Sequence, residues 1–325
     1  MPKTPSEPLV RARLHGPTMA TRWSVLCDID PALEQTVLHR ALAAAVEQVD
    51  QQMSPWKPDS DLSRLNRAAP EAWVALPPEM LTVLARALEV ARQSGGAFDP
   101  SVGALVDAWG FGAARGAPDA AAIRAATQAM HRPTYQNLEL EPANGRARKH
   151  APLQVDLCGI AKGYAVDRMI DVLKQHGVAH ALAALDGELR ALGGQADGQP
   201  WAVALESPTP GQRSAHGVLE LQDLAVATSG DYRHFVQVGT ERLAHTMDAR
   251  RATPVRNDVA SVTVLAPEGM SADAWATALL VAGGDHGLAL AQRLGLEVLF
   301  LVRRAGRLVD LGLGRFDGRT AGAGG

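Results

Sequence analysis

Asp156-Leu-Cys-Gly-Ile-Ala-Lys-Gly-Tyr164 carries more of the chain's chemistry than any other stretch. The apolar run 153–157 reads as a strand that stops at Gly159, and a helix-like run follows with Lys162 in its first turn. A strand, a glycine turn and a helix N-terminus aim backbone N–H groups and the positive end of a helix dipole at an anion. A segment far along the chain complements it. Met270-Ser-Ala-Asp-Ala-Trp-Ala-Thr277 places Asp273 and Thr277 four residues apart, on one helix face. A carboxylate, a hydroxyl and a backbone carbonyl from a glycine-framed turn are oxygen ligands of the kind Mg²⁺ takes beside a phosphate.

Outward from this pair, hairpin signals outnumber strand–helix alternation. Residues 135–141 and 149–157 flank Asn144-Gly145, and 178–185 and 188–192 flank Asp186-Gly187. Further short strands read at 21–27, 201–205, 218–221, 224–228, 233–238, 242–247, 261–265, 297–302 and 308–311. Helical spacing predicts helices at 32–52, 78–93 and 120–130, the last capped by Asp119, and one running from the opening motif to about His176. Ser271 reads as the cap of a helix over 272–282, and a last helix spans 287–294. The pattern predicts an α+β fold of mostly antiparallel sheets with packed helices, in two intimate subdomains. Residues 1–16, polar and proline-rich, read as a flexible segment, 17–317 as one domain, and 318–325 as a disordered tail.

Composition excludes several classes. Of 325 residues, 46% are apolar and only 4% aromatic, so a large core is built mostly from Ala, Val and Leu. A net charge of −3, without a run of five basic residues, argues against nucleic acid as a partner. Two cysteines, Cys27 and Cys158, are too few for a disulfide scaffold or a Cys-rich zinc site and read as small buried hydrophobes. No run of about 18 apolar residues offers a membrane span. No signal-peptide pattern appears, so the expected location is cytoplasmic, or periplasmic if a leader lies outside this sequence.

Taken singly, the candidate residues keep two readings each. Asp273 is a dipole-favourable residue or a metal ligand. Lys162 is a solvated helix residue or a phosphate contact, although the Walker A spacing is absent. His245 is a partly buried strand histidine or a base. Trp56, in a proline-flanked loop, is a core cap or a stacking plate for a flat ring.

Six segments in register resemble the ApbE family of FAD:protein FMN transferases. They are Met19-Ala-Thr21; Met53-Ser-Pro-Trp-Lys-Pro-Asp-Ser-Asp-Leu-Ser-Arg-Leu-Asn66; Gly96-Ala-Phe-Asp-Pro100 with Trp109-Gly-Phe-Gly112; Asp156 to Tyr164; Thr228-Ser-Gly-Asp-Tyr232; and Met270 to Leu279. The resemblance implies an enzyme that splits FAD with Mg²⁺, transfers FMN to a Thr or Ser hydroxyl of an acceptor flavoprotein, and releases AMP. It implies Mg²⁺ at the Ala161 carbonyl, Asp273 and Thr277. It implies FAD contacts at Met19, Trp56, Ala97, Phe98, Asp99, Cys158, Lys162, Tyr164, Met247 and Ala276. On this resemblance Asp273 would be the catalytic metal ligand, and His245 is the candidate base, with Asp248 next. Two rival outcomes are an Mg²⁺-dependent FAD pyrophosphatase yielding FMN and AMP, and an FAD-binding protein with weakened catalysis.

Three departures from the family pattern stand out. His245-Thr-Met-Asp-Ala-Arg-Arg-Ala252 replaces a His-x-x-Asp-Pro-x-Thr-Gly loop, leaving Arg250 or Arg251 as a substitute source of charge. Asp186-Gly-Glu188 replaces Gly-Gly-Glu, and Cys158 replaces a serine.

Overall fold

Strand Glu297–Arg304 shows how the main sheet is covered on both faces. Val298, Phe300 and Val302 join one apolar cluster, and the intervening Leu299 and Leu301 join a second on the opposite face. Strand Val259–Ala266 is buried at all 8 positions, Ser261 and Thr263 included, as expected of an interior strand covered on both faces. In this computed structural model, which describes residues 8–112, 116–129, 133–208, 214–232, 235–238 and 241–318, an 8-stranded antiparallel sheet forms the centre. The strands lie in chain order: Val10–Thr18, Thr21–Ile29, His180–Leu185, Glu188–Leu192, Ala225–Gly230, Val259–Ala266, Glu297–Arg304 and Arg307–Leu313. The α+β, antiparallel expectation holds.

Helices Gln35–Met53, Ala161–Gln175 and Gly269–Ala282 contribute to the larger cluster. Gln35–Met53 buries Leu38, Leu42, Val46 and Val49 at helical spacing and packs on Ala161–Gln175. The hairpin Trp201–Glu206 with Ala215–Leu221 supplies Trp201, Val203, Leu219 and Leu221 to the smaller cluster. A 3-stranded sheet of Val74–Ala75, Leu138–Glu141 and Arg146–Lys149 stands apart from the main one.

Four sequence expectations change. The segment read as flexible over 1–16 contains most of strand Val10–Thr18, paired along its whole length with Thr21–Ile29. Ala12 and Leu14 face inward between exposed Arg11, Arg13 and His15, so a two-residue period was present within a polar composition. Pro17 is tolerated there because the strand lies at the sheet edge. Residues 153–157 form no strand. They are an extended segment whose Val155 exchanges backbone hydrogen bonds with the Asn66 side chain at 2.8 and 2.9 Å, while the buried Lys149 ammonium donates to the Asn66 and Leu153 carbonyls. The second strand of that hairpin is Arg146–Lys149 alone. The helix assigned to 272–282 begins at Gly269, which puts Ser271 inside it. Arg233 and His234, expected in a strand, and residues 319–325 of the tail lie outside the described residues.

Candidate active site

Two helices cross at backbone contact. A Cβ on Gly269 would stand 2.5 Å from the Gly163 carbonyl oxygen; one on Gly163 would run into the Gly269 carbonyl and stand 2.8 Å from Asp273 Cβ. Only a glycine pair permits this approach of Ala161–Gln175 to Gly269–Ala282. The second helix has no side-chain cap of its own at Glu268. Asp167 caps it from the first helix, accepting from the Gly269 and Met270 amides at 2.7 and 2.9 Å. Arg190 donates to the same carboxylate at 2.5 Å. Asp167→Ala is expected to cost about 2 kcal/mol, since it removes a cap and leaves a guanidinium unpaired. Urea unfolding measures this, and an unchanged midpoint would remove the capping role.

The crossing builds one polar corner. The Gly163 amide donates to Asp273 Oδ2 at 3.0 Å, and Asp273 is buried. One turn on, Thr277 Oγ1 lies 3.3 Å from Ser229 Oγ on strand Ala225–Gly230. A Cβ on Gly159 would sit 3.1 Å from Thr277 Oγ1 and 3.3 Å from the Phe98 ring. The turn before Ala161 therefore lies against the Asp273–Thr277 helix only because residue 159 has no side chain. Ala161, Asp273 and Thr277 come from the two crossing helices, Ala161 at the start of one and Asp273 and Thr277 on successive turns of the other. Among the described residues no group of three His, Cys, Asp or Glu side chains forms a metal cage. The corner instead offers a carboxylate, a hydroxyl and a backbone carbonyl, a donor set that fits a hard cation sharing its shell with phosphate.

Charge converges on the same corner. Lys162 Nζ lies 3.2 Å from Asp186 Oδ2 and 3.3 Å from Glu188 Oε1. Glu188 is buried, and its Oε2 has no hydrogen-bond partner among the described residues. Burial pushes the Glu188 carboxyl up to about 8 against the opposing pull of Lys162. Burial likewise pushes Asp273 up to about 6, opposed by Lys162 and the Gly163 amide. Burial alone would lower Lys162, but Glu188, Asp273 and Asp186 outweigh it and hold the ammonium above its ordinary value.

The remaining predicted residues divide by environment. Ala97, Phe98, Tyr164, Met247 and Ala276 are buried. The Asp99 carboxylate is a strut: it accepts from the Ser101 amide and hydroxyl at 2.9 and 2.8 Å and from the Thr134 amide and hydroxyl. Cys158 is half-buried, and its amide donates to Asp156 Oδ1 at 2.7 Å. Trp56 is 51% exposed, which removes the core-cap reading. Met19 and Ala20 both adopt positive φ, 45° and 57°, at the hairpin tip between the first two strands. Such backbone in non-glycine residues marks a site held in shape by its surroundings. His245 is exposed, between strands Glu241–Ala244 and Met247–Asp248. Sequence reading gave no role to Ser229, Asp167 or the Lys162–Glu188 pair. For Asp167 a signal existed, an acidic residue between Val166 and Met169 on a helix face that is otherwise core.

The altered loop is closed by its own charges. Asp248 is buried; it accepts from the Arg250 amide at 3.0 Å, Arg250 Nε at 3.1 Å and Arg251 Nη1 at 2.8 Å. Burial would raise this carboxyl, but the two guanidiniums hold it below the usual range. Arg250 also lies over Gly96, its Cγ 3.7 Å from where a Cβ would stand. Ala252 keeps a left-handed φ of 53° where the resemblance expects glycine. Ala252→Gly should raise stability by about 1 kcal/mol, or about 1–2 °C in a chain this long. A thermal scan of the two proteins checks this, and a lower melting temperature for the variant would contradict it.

Comparison with known proteins agrees with this arrangement. Residues 19–300 match the ApbE family. The chain is 35% identical to the FAD:protein FMN transferase of Vibrio cholerae, over 91% of this chain and 89% of that protein. It is 33% identical to the protein of that name from Haemophilus influenzae, over 89% and 86%. The solved structure of the Vibrio cholerae flavin transferase ApbE superposes with a TM-score of 0.86 at 34% identity, covering 95% of this chain and 99% of that one. The apo flavinyl transferase ApbE of Pseudomonas stutzeri gives 0.85 at 34% identity, over 95% and 96%. A family match across most of the chain, with close structural agreement at this identity, shows that the chain belongs to the ApbE family.

Proposed function

We propose that this protein transfers FMN from FAD to a Thr or Ser hydroxyl of an acceptor protein, with Mg²⁺ at Ala161, Asp273 and Thr277. The observation that carries the reading is the Gly163–Gly269 crossing, which sets a carboxylate, a hydroxyl and a helix start beside Lys162. The relatives' name supplies the reaction class. Bound there, Mg²⁺ would neutralise the pyrophosphate and stabilise the departing phosphate.

The chain's own groups do the rest. The start of Ala161–Gln175 and the Lys162 ammonium face the pyrophosphate. Exposed Trp56 offers a ring face to the isoalloxazine, and the Met19–Ala20 tip frames the cofactor. His245, exposed to an incoming acceptor, takes the hydroxyl proton as the acceptor oxygen attacks the FMN phosphorus. The phosphorus–oxygen bond to AMP breaks, and AMP leaves carrying the electron pair. Among the described residues no helix is long and apolar enough to cross a membrane.

Incubation with FAD, Mg²⁺ and an acceptor bearing an Asp-x-x-Ser/Thr-Gly-Ala-Thr-like site tests this. Covalent flavin fluorescence on the denatured acceptor is the expected result. FMN and AMP without a labelled acceptor would instead indicate a pyrophosphatase, and FAD bound without turnover a binding protein.

A further inference from the structure

We infer that Ser229 is a positioning residue that orients the Thr277 hydroxyl toward the divalent cation; this rests on the flavin-transfer reading above. Thr277 is the one residue between Gly269 and Val281 that is not buried, so its side chain stands at an opening in an otherwise closed helix. A helical threonine commonly returns its proton to the carbonyl four residues back. Thr82 does so to Pro78 at 2.9 Å, and Thr127 to Ile123 at 2.8 Å. Thr277 departs from this habit. Among the described residues its hydrogen-bond partner is Ser229 Oγ, 3.3 Å away on the central sheet.

The strand prepares this contact. Along Ala225–Gly230, Ala225 and Ala227 join the apolar cluster shared with helix Gly269–Ala282, and Val226 joins the cluster on the opposite face. The two-residue alternation therefore turns Ser229 toward the helix, as the first polar side chain after two alanines. Gly159 closes another side: a Cβ there would stand 3.1 Å from Thr277 Oγ1 and 3.3 Å from its Cγ2. A hydroxyl has one proton and two lone pairs. To ligate a cation it must present oxygen and turn the proton away, and Ser229 Oγ is placed to accept that proton. Such a partner fixes the ligand's orientation and strengthens its oxygen as a donor to the metal, and losing one costs about 10–100-fold in metal affinity.

The test titrates Mg²⁺ into the full chain with FAD and follows binding by flavin fluorescence, for wild type, Ser229→Ala, Thr277→Val and the double variant. Ser229→Ala should need about ten-fold more Mg²⁺ for half-maximal FAD binding, with the FAD affinity at saturating Mg²⁺ unchanged. Thr277→Val should raise the requirement at least as far. Adding Ser229→Ala to it should change nothing further, because Ser229 acts through a hydroxyl that is already gone. A wild-type Mg²⁺ requirement in Ser229→Ala overturns the role of Ser229 and leaves the transferase reading standing. A further rise in the double variant over Thr277→Val assigns Ser229 a separate contact or a general structural effect, and also overturns it. If wild type binds FAD no better in Mg²⁺ than in chelator, both readings fall.

Discussion

Asp273→Asn should abolish Mg²⁺-dependent flavin transfer, with a loss of at least about 10³-fold in kcat/KM, while leaving the fold intact. Removing a well-placed electrostatic stabiliser of a developing oxyanion costs about 10²–10³-fold, and loss of the carboxylate proposed to hold the cation should cost more. Asn is nearly isosteric and can still accept from the Gly163 amide, so the helix crossing survives. The variant also makes a stability prediction. With no cation bound, burial raises the Asp273 carboxyl from 3.8 to about 6. Its contribution to stability is therefore fully present below pH 4 and is lost as pH rises through 6. Asn carries no such charge, so above pH 6 the metal-free variant should match or exceed the wild type, and only the wild type should gain stability from added Mg²⁺. Denaturant titrations with and without Mg²⁺ read this directly. Full activity in Asp273→Asn, or equal stabilisation of both proteins by Mg²⁺, would remove Asp273 from the metal site.

How much of this corner was legible in the chain depends on the range of the information. Asp273 and Thr277 share a face because they lie four apart, and that spacing is local. Helix Gln35–Met53 was legible for the same reason, through Leu38, Leu42, Ala45 and Val49. Residues 153–157 misled because an apolar run says nothing about what it pairs with; Asn66 and Lys149, distant or polar, hold it instead. Strand Val10–Thr18 was hidden by Arg11, Arg13 and Pro17, which suit a solvent-facing edge. The start of Gly269–Ala282 was misplaced because Ser271 looks like a cap, whereas the real cap, Asp167, comes from another helix. Arg250 and Arg251 were visible as charges, but not their inward turn onto Asp248, which makes them partners of an acid first and leaves phosphate contact a secondary use. Apart from Val10–Thr18, whose alternation was present but masked by its polar composition, each miss is a tertiary partner that the local pattern does not encode.

Gly163→Ala is the second large effect, and it tests the geometry without altering any charge. The added methyl meets backbone, the Gly269 carbonyl, which cannot rotate aside, and Asp273 Cβ at 2.8 Å. Relief requires the two helices to part by about 1 Å, against the packing of Ala161, Ala165, Ala272 and Ala276 in the main core. Overpacking of this kind costs about 1–3 kcal/mol. The same displacement moves Ala161 and Lys162 away from Asp273 and Thr277, and a misplacement of about 1 Å costs about 10²-fold in rate. Alanine is a better helix former than glycine, so a helix-propensity argument predicts the opposite sign for stability. A lower melting temperature together with about a 10²-fold loss of transfer is expected. The folded variant should also need more Mg²⁺ to reach half-maximal FAD binding. A more stable, fully active Gly163→Ala would mean that the helices do not meet at backbone contact, and the metal corner built on their crossing would fall with it.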